Sequence, residues 1–310
     1  MSPLDLASLA ARLPARPLTR YAPSPTGYLH LGHVANAVWV WGLARALGGR
    51  VLLRIEDHDR RRCRPAYEAA LLEDLDWLGL EPDAGTAREL RAGPSPYRQR
   101  DAGPAYEAAL ARLGRHATLF ACDCSRKDLA RTEGDVLNEE TRYPGRCRTR
   151  GLALGPGLGV RLRVEPGTER FVDGRLGPQV QEPSIQCGDL LLRDRLGQWT
   201  YQFAVVADDL RHGVDLVVRG EDLLESSGRQ ILLARLLGRA EPPVFVHHPL
   251  IRKPGGEKLS KAAGDTGVRE LRAAGVTPDE TLGRAAFLTG LVAQPTPLAA
   301  AHLANLFGAR

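Results

Sequence analysis

His30 and His33 stand three residues apart at the end of the run Arg20-Tyr21-Ala22-Pro23-Ser24-Pro25-Thr26-Gly27-Tyr28-Leu29-His30-Leu31-Gly32-His33. Pro23 and Pro25 fix φ and stop a strand from continuing. Gly27 and Gly32 let backbone approach a ligand closely. The residues from His33 to Leu47 contain no proline and are rich in alanine, valine and leucine, which predicts a buried helix. Such a helix aims unpaired N–H groups and the positive end of its dipole at the crossing, a setting that suits phosphate. Two histidines three apart at that point can face one anion. A second cationic group lies far along the chain. Of 42 basic residues only four are lysine, and Lys253, Lys258 and Lys261 fall within nine residues. Lysine is a compact point charge on a flexible stem. Its clustering in a chain that otherwise uses arginine marks a place where that charge is needed, on a glycine-rich loop that can approach phosphates from the other side.

The five cysteines are Cys63, Cys122, Cys124, Cys147 and Cys187. An odd number without a secretory signal argues against a disulfide framework. Cys122, Cys124 and Cys147 lie within 26 residues, and three thiolates bind zinc with a fourth ligand. On chemical grounds His116 is the conventional fourth ligand and Tyr143 the unusual one. Cys63 and Cys187 read as ordinary buried thiols.

The elements that must position these groups follow an α/β pattern. Pro17–Tyr21 reads as a short strand and Val51–Ile55 as a buried parallel one, delivering Glu56 at its carboxyl end, where open α/β sheets bind ligands. Pro65–Leu78 is an amphipathic helix with Ala69, Leu72, Leu75 and Leu78 on one face, and Ala102–Leu113 is another helix. From 116 to 195 glycines, prolines and cysteines break the pattern, leaving β-like pieces at Val160–Val164 and Arg170–Val172. We read an insertion, with Gly188–Arg193 as the strand returning to the core. Strands at Val214–Val218 and Val244–Val246, with a helix over Leu223–Leu237 between them, complete the sheet. The expected division is 1–115 and 196–262 as two halves of a Rossmann-like domain, the second carrying the lysine loop, 116–195 as the insertion, and 263–310 as a helical stub. At 310 residues, 43% hydrophobic and 25% charged, the chain can build a sizeable core. Its net charge of +5 permits an anionic partner. With no apolar run long enough for a bilayer and no signal pattern, a cytoplasmic protein with no membrane partner is expected.

The run from Arg20 to His33 resembles the HIGH motif of class I aminoacyl-tRNA synthetases, and Arg20–Gly27 resembles their glutamyl branch. Lys258-Leu259-Ser260-Lys261-Ala262 resembles the KMSKS motif, with Ala262 in place of the last serine. Arg54-Ile55-Glu56-Asp57 matches a glutamyl motif but departs at His58. Trp199–Asp209 and Arg219-Gly220-Glu221-Asp222 resemble further ones. The resemblance implies ATP as a substrate, with Mg2+, bound by His30, Gly32, His33 and Lys261. His30, His33, Lys258 and Lys261 would act in catalysis. It implies a glutamate pocket made of Arg20, Tyr21, Ala22, Pro23, Ser24, Glu56, Tyr201 and Arg219. Arg20 and Arg219 are the natural partners of a carboxylate, because a guanidinium donates two parallel hydrogen bonds. Glu56 would face the ammonium and Tyr201 would wall the site.

Cys122-x-Cys124 followed by Tyr143-x-x-x-Cys147 resembles the zinc site of glutamyl-Q tRNA(Asp) synthetases, which favours Tyr143 over His116 as fourth ligand of one structural zinc. Only 49 residues follow Lys261, too few for the helical anticodon-binding domain of a glutamyl-tRNA synthetase. The resemblance therefore implies a ligase that activates L-glutamate and esterifies it to queuosine in the anticodon stem-loop of tRNA(Asp); a monomer is expected. The rivals are a truncated glutamyl-tRNA synthetase charging the acceptor end, a nucleotidylyltransferase, which also uses His-x-Gly-His, and a non-catalytic zinc module that binds RNA.

Overall fold

Leu18–Tyr21 and Arg50–Leu53 are four-residue strands with three residues buried in each, the pattern of strands covered on both faces. In the computed structural model they are β1 and β2. The structure describes residues 4–125, 128–129, 142–251 and 267–308. The other strands described are β3 (Leu119–Cys122), β4 (Gly159–Leu162), β5 (Glu169–Asp173), β6 (Gly177–Gln181), β7 (Leu190–Arg193), β8 (Leu216–Gly220) and β9 (Val244–His248). The longer helices are α1 (Leu31–Ala46), α2 (Pro65–Leu78), α3 (Gly103–Leu113), α4 (Tyr201–Arg211) and α5 (Ser227–Leu236). Beyond residue 266 come α6 (Val268–Ala273) and α7 (Pro278–Leu288).

The main sheet has the order β2-β1-β8-β9-β5-β6. Pairing is parallel from β2 through β5 and antiparallel only between β5 and β6. Parallel neighbours need a crossover, and α1 supplies the one from β1 to β2. Eleven of its sixteen residues are buried, because it lies between the sheet and the C-terminal helices. Phe307 stands edge-on to Trp39 at 5.2 Å. It fits only because residue 42 is glycine, since a Cβ there would lie 2.3 Å from the Phe307 ring. The helices after 266 thus belong to the main core.

The stretch expected as one insertion is split. Strands β3, β4 and β7 form a small antiparallel sheet in the order β3-β4-β7. The hairpin β5–β6 joins the main sheet instead, with Asp173 opposite Phe245 of β9 and Phe171 packed 5.6 Å from Phe245. Gly188–Arg193, expected as the strand returning to the core, yields β7, which pairs with β4 in the small sheet. Its burial explains this. Leu190 and Leu192 are buried while Leu191 and Arg193 are half-buried, which suits a sheet covered on one face rather than two. The helix expected over Leu223–Leu237 is a 3-10 turn, Glu221–Ser226, followed by α5. On α2 the buried face is Leu71, Leu72, Leu75 and Leu78, and Ala69 is exposed. No helix among the described residues is long and apolar enough to cross a membrane.

Candidate active site

The chain turns to opposite sides of β1 on its way to β2 and from β8 to β9, so the order switches between β1 and β8. Ligands of open α/β sheets bind at such a point, beyond the carboxyl ends of the strands. A cleft of about 470 Å³ opens there. Its walls are the exit of β1 (Arg20 to Ser24), the start of α1 (His30, Gly32, His33), Glu56 after β2, Tyr201 at the head of α4, and Arg219 near the end of β8. All the sequence-predicted pocket residues and the histidine pair are brought together in it. Lys258 and Lys261 lie outside the described residues.

His30 is the N-cap of α1. Its Nδ1 accepts from the Gly32 N–H at 3.0 Å, and His33 Nδ1 accepts from the His30 N–H at 3.2 Å. With Nδ1 accepting in both, each neutral ring carries its proton on Nε2. The ring centroids are 4.0 Å apart. Gly32 leaves room for the His30 ring, since a Cβ would lie 2.8 Å from His30 Cε1 and push the ring from this cap position.

The two candidate arginines differ. Arg20 Nε donates to both oxygens of Asp209 at 3.2 and 3.3 Å. Arg219 donates to neutral acceptors: His247 Nε2 at 3.0 Å, Gln230 Oε1 at 2.6 Å and Ser227 Oγ at 2.8 Å. Burial pulls its guanidinium below the ordinary value, partly offset by Tyr201. Burial conversely pushes the Tyr201 phenol up.

Arg54, the first residue of the motif Arg54-Ile55-Glu56-Asp57, is a hub of buried ion pairs beside the cleft. Arg54 is fully buried and donates to Asp209 at 2.6 Å and Glu56 at 2.9 Å, with Asp208 at 3.7 Å. Burial opposes its charge, but these three carboxylates outweigh that and raise it well above the ordinary value. Burial alone would raise the Asp209 carboxyl; Arg20 and Arg54 hold it below its usual value. A charge inside the apolar run Val51–Ile55 was the sequence signal for Arg54. The departure at His58 is accommodated by a hydrogen bond from its Nδ1 to Gln99 Oε1 at 2.7 Å, and Gln99 in turn donates to Asp208. Sequence reasoning also missed Asn36 and His248. Both line the cleft, and Asn36 Nδ2 lies 3.0 Å from His248 Nε2.

A second constellation sits at the end of β3. The sulfurs of Cys122, Cys124 and Cys147 lie within 4.8 Å of one another. Cys124 and Cys147 are 3.6 Å apart, and Tyr143 Oη is 3.6 Å from Cys122 Sγ. A tetrahedral ion with bonds of ~2.3 Å spaces its sulfurs about 3.8 Å apart, so the cluster fits a metal such as zinc. The donor set has cationic neighbours: the Arg161 guanidinium lies 3.7 Å from the Tyr143 ring centroid. Burial opposes the Cys122 thiolate, but Arg161 and Tyr143 hold that thiol below its ordinary value. The exposed His116 lies outside the cluster.

Residues 18–294 match the family described as tRNA synthetases class I (E and Q), catalytic domain. A glutamyl-Q tRNA(Asp) synthetase of Symbiobacterium thermophilum is 41% identical over 298 residues, covering 93% of this chain and 91% of that one. The chain belongs to the glutamyl-Q tRNA(Asp) synthetases. Glutamate--tRNA ligase 2 of Syntrophus aciditrophicus is 38% identical, but this glutamyl-Q family member spans only 57% of it. The glutamate-tRNA synthetase of Elizabethkingia anophelis superposes with a TM-score of 0.76 at 25% identity, over 95% of this chain and 66% of that one.

Proposed function

We propose that the cleft activates L-glutamate with ATP and that the chain transfers the glutamyl group to queuosine in the anticodon of tRNA(Asp). A glutamate carboxylate oxygen attacks the α-phosphorus and pyrophosphate leaves. A hydroxyl of the queuosine cyclopentenediol then attacks the acyl carbon and AMP leaves. The observation that carries the glutamate site is Arg219, a buried cleft-lining guanidinium whose hydrogen bonds go to neutral acceptors. A substrate carboxylate supplies the missing counter-charge.

Arg20, with Tyr21 to Ser24, borders the same pocket, Glu56 receives the ammonium and Tyr201 closes the wall. His30 and His33 face the phosphates beside the backbone at Gly32, and Lys258 and Lys261 add positive charge to the same phosphates. Such groups act on charge that develops as pyrophosphate departs. Mg2+ accompanies the ATP. One zinc held by Cys122, Cys124, Cys147 and Tyr143 ties the end of β3 to the segment around 143–147, and its role is structural. The small sheet and the neighbouring arginines grip the anticodon stem-loop, by shape and backbone.

The test uses labelled glutamate, ATP and an isolated tRNA(Asp) anticodon stem-loop. The stem-loop carrying queuosine accepts label and the one carrying guanosine accepts none. The 38% identity to a glutamate--tRNA ligase supports a second outcome, label on the terminal adenosine of full-length tRNA, which would make the chain a shortened glutamyl-tRNA synthetase.

A further inference from the structure

We infer that Asp173 and His247 are a positioning pair that aims Arg219 into the cleft while leaving its charge for the substrate. The inference rests on the glutamate reading of the cleft.

Arg219 of β8 lies directly opposite His247 of β9. Its Nε–H donates to His247 Nε2 at 3.0 Å. An accepting Nε2 requires the ring proton on Nδ1, and Nδ1 lies 2.7 Å from Asp173 Oδ2. Asp173 is itself held by the N–H groups of Arg175 at 3.0 Å, Leu176 at 2.9 Å and His247 at 3.2 Å. The carboxylate therefore selects the tautomer, and the tautomer selects the side of the ring that Arg219 can approach. Asp173, His247 and Arg219 are all buried.

The contrast with the neighbouring arginines explains the use of an imidazole. Arg20 and Arg54 bind Asp209 directly, and their charges are spent inside the protein. A carboxylate touching Arg219 would compete with the substrate in the same way. Interposing a neutral ring transmits orientation and moves the compensating charge further off, where Coulomb attraction is weaker. Ser227 Oγ, 3.3 Å from His247 Nε2, completes the outline of a Ser-His-Asp triad. It is no nucleophile, because it is fully buried, accepts from Arg219 and does not line the cleft.

The arrangement makes a specific demand on position 173. In Asp173→Asn the side-chain amide can donate to Nδ1, which puts the proton on Nε2, where it collides with the Arg219 N–H. In His247→Gln one amide can still donate to Asp173 and accept from Arg219. The experiment measures KM for glutamate and for ATP by pyrophosphate exchange, with a thermal melt for each variant. Asp173→Asn should raise glutamate KM by about tenfold or more, the scale of one misaligned charged hydrogen bond, and leave ATP KM within about twofold. His247→Gln should stay near wild type. Equal increases in both KM values for Asp173→Asn, or no change in either, overturn the inference. If a variant does not fold, nitrogen NMR on the wild-type chain decides, since a His247 ring protonated at Nε2 alone also overturns it. Arg219→Met separates the two levels. If it leaves glutamate KM unchanged, the glutamate site is misassigned. If it raises that KM while Asp173→Asn does not, only the positioning pair is wrong.

Discussion

Arg54 Nη1 sits 2.6 Å from Asp209 Oδ1, although the residues are 155 apart in sequence. Arg54 also reaches Glu56, and Asp209 also holds Arg20. One buried carboxylate thus links the strand that delivers Glu56 to the strand that delivers Arg20. An ion-pair network borders the cleft beside Arg219, whose own hydrogen bonds go to His247, Gln230 and Ser227.

Asp209→Asn should cost about 1.5–3 kcal/mol of stability, because the buried Arg54 and Arg20 lose a charged hydrogen-bond partner while Arg54 keeps Glu56 and Asp208. Chemical denaturation checks this. The pH dependence has a definite sign. The folded Asp209 carboxyl lies below its unfolded value, so its contribution is present above the unfolded value and is lost as pH falls through the folded one. The melting temperature should drop below about pH 4, and the Asn variant should show a shallower acid limb.

Arg219→Gln should abolish most glutamate-dependent exchange, and the wild-type chain should activate glutamine very poorly. A neutral amide cannot compensate a buried guanidinium, and leaving such a charge unpaired costs roughly 3–5 kcal/mol. Comparable exchange rates with the two amino acids would contradict the pocket.

Lys261→Ala should slow activation by about 10²–10³, the usual loss of one donor to transition-state charge. Glutamate affinity should hardly change, because the proposed partner is phosphate. A normal exchange rate would remove Lys261 from the site.

Freshly purified protein should carry one zinc, and Tyr143→Phe should weaken its retention against a chelator by at least about tenfold. His116→Ala should leave retention unchanged. Elemental analysis and thiol titration read both. Metal-free protein with all five thiols reactive would defeat the assignment.

What the chain dictates by itself is local. The prolines and glycines between Arg20 and His33 enforce the turn into α1, and the capping contacts of His30 and His33 span two and three residues. Such interactions are decided by neighbours in sequence, so motif and helix start could be read without coordinates. Helix α2 was legible for the same reason, through its apolar spacing and Pro65 at its start. The cysteine cluster was legible from spacing because three thiols in one short stretch have few other uses. Tertiary structure decided the rest. The sequences of β5 and β7 permit pairing in either sheet, and their docking faces settled which. Asp173 reaches His247 across 74 residues and Arg54 reaches Asp209 across 155. Side chains so far apart meet only through the order and register of the parallel strands. That register depends on burying whole faces together, and this separates Arg219 from an arginine that is merely buried.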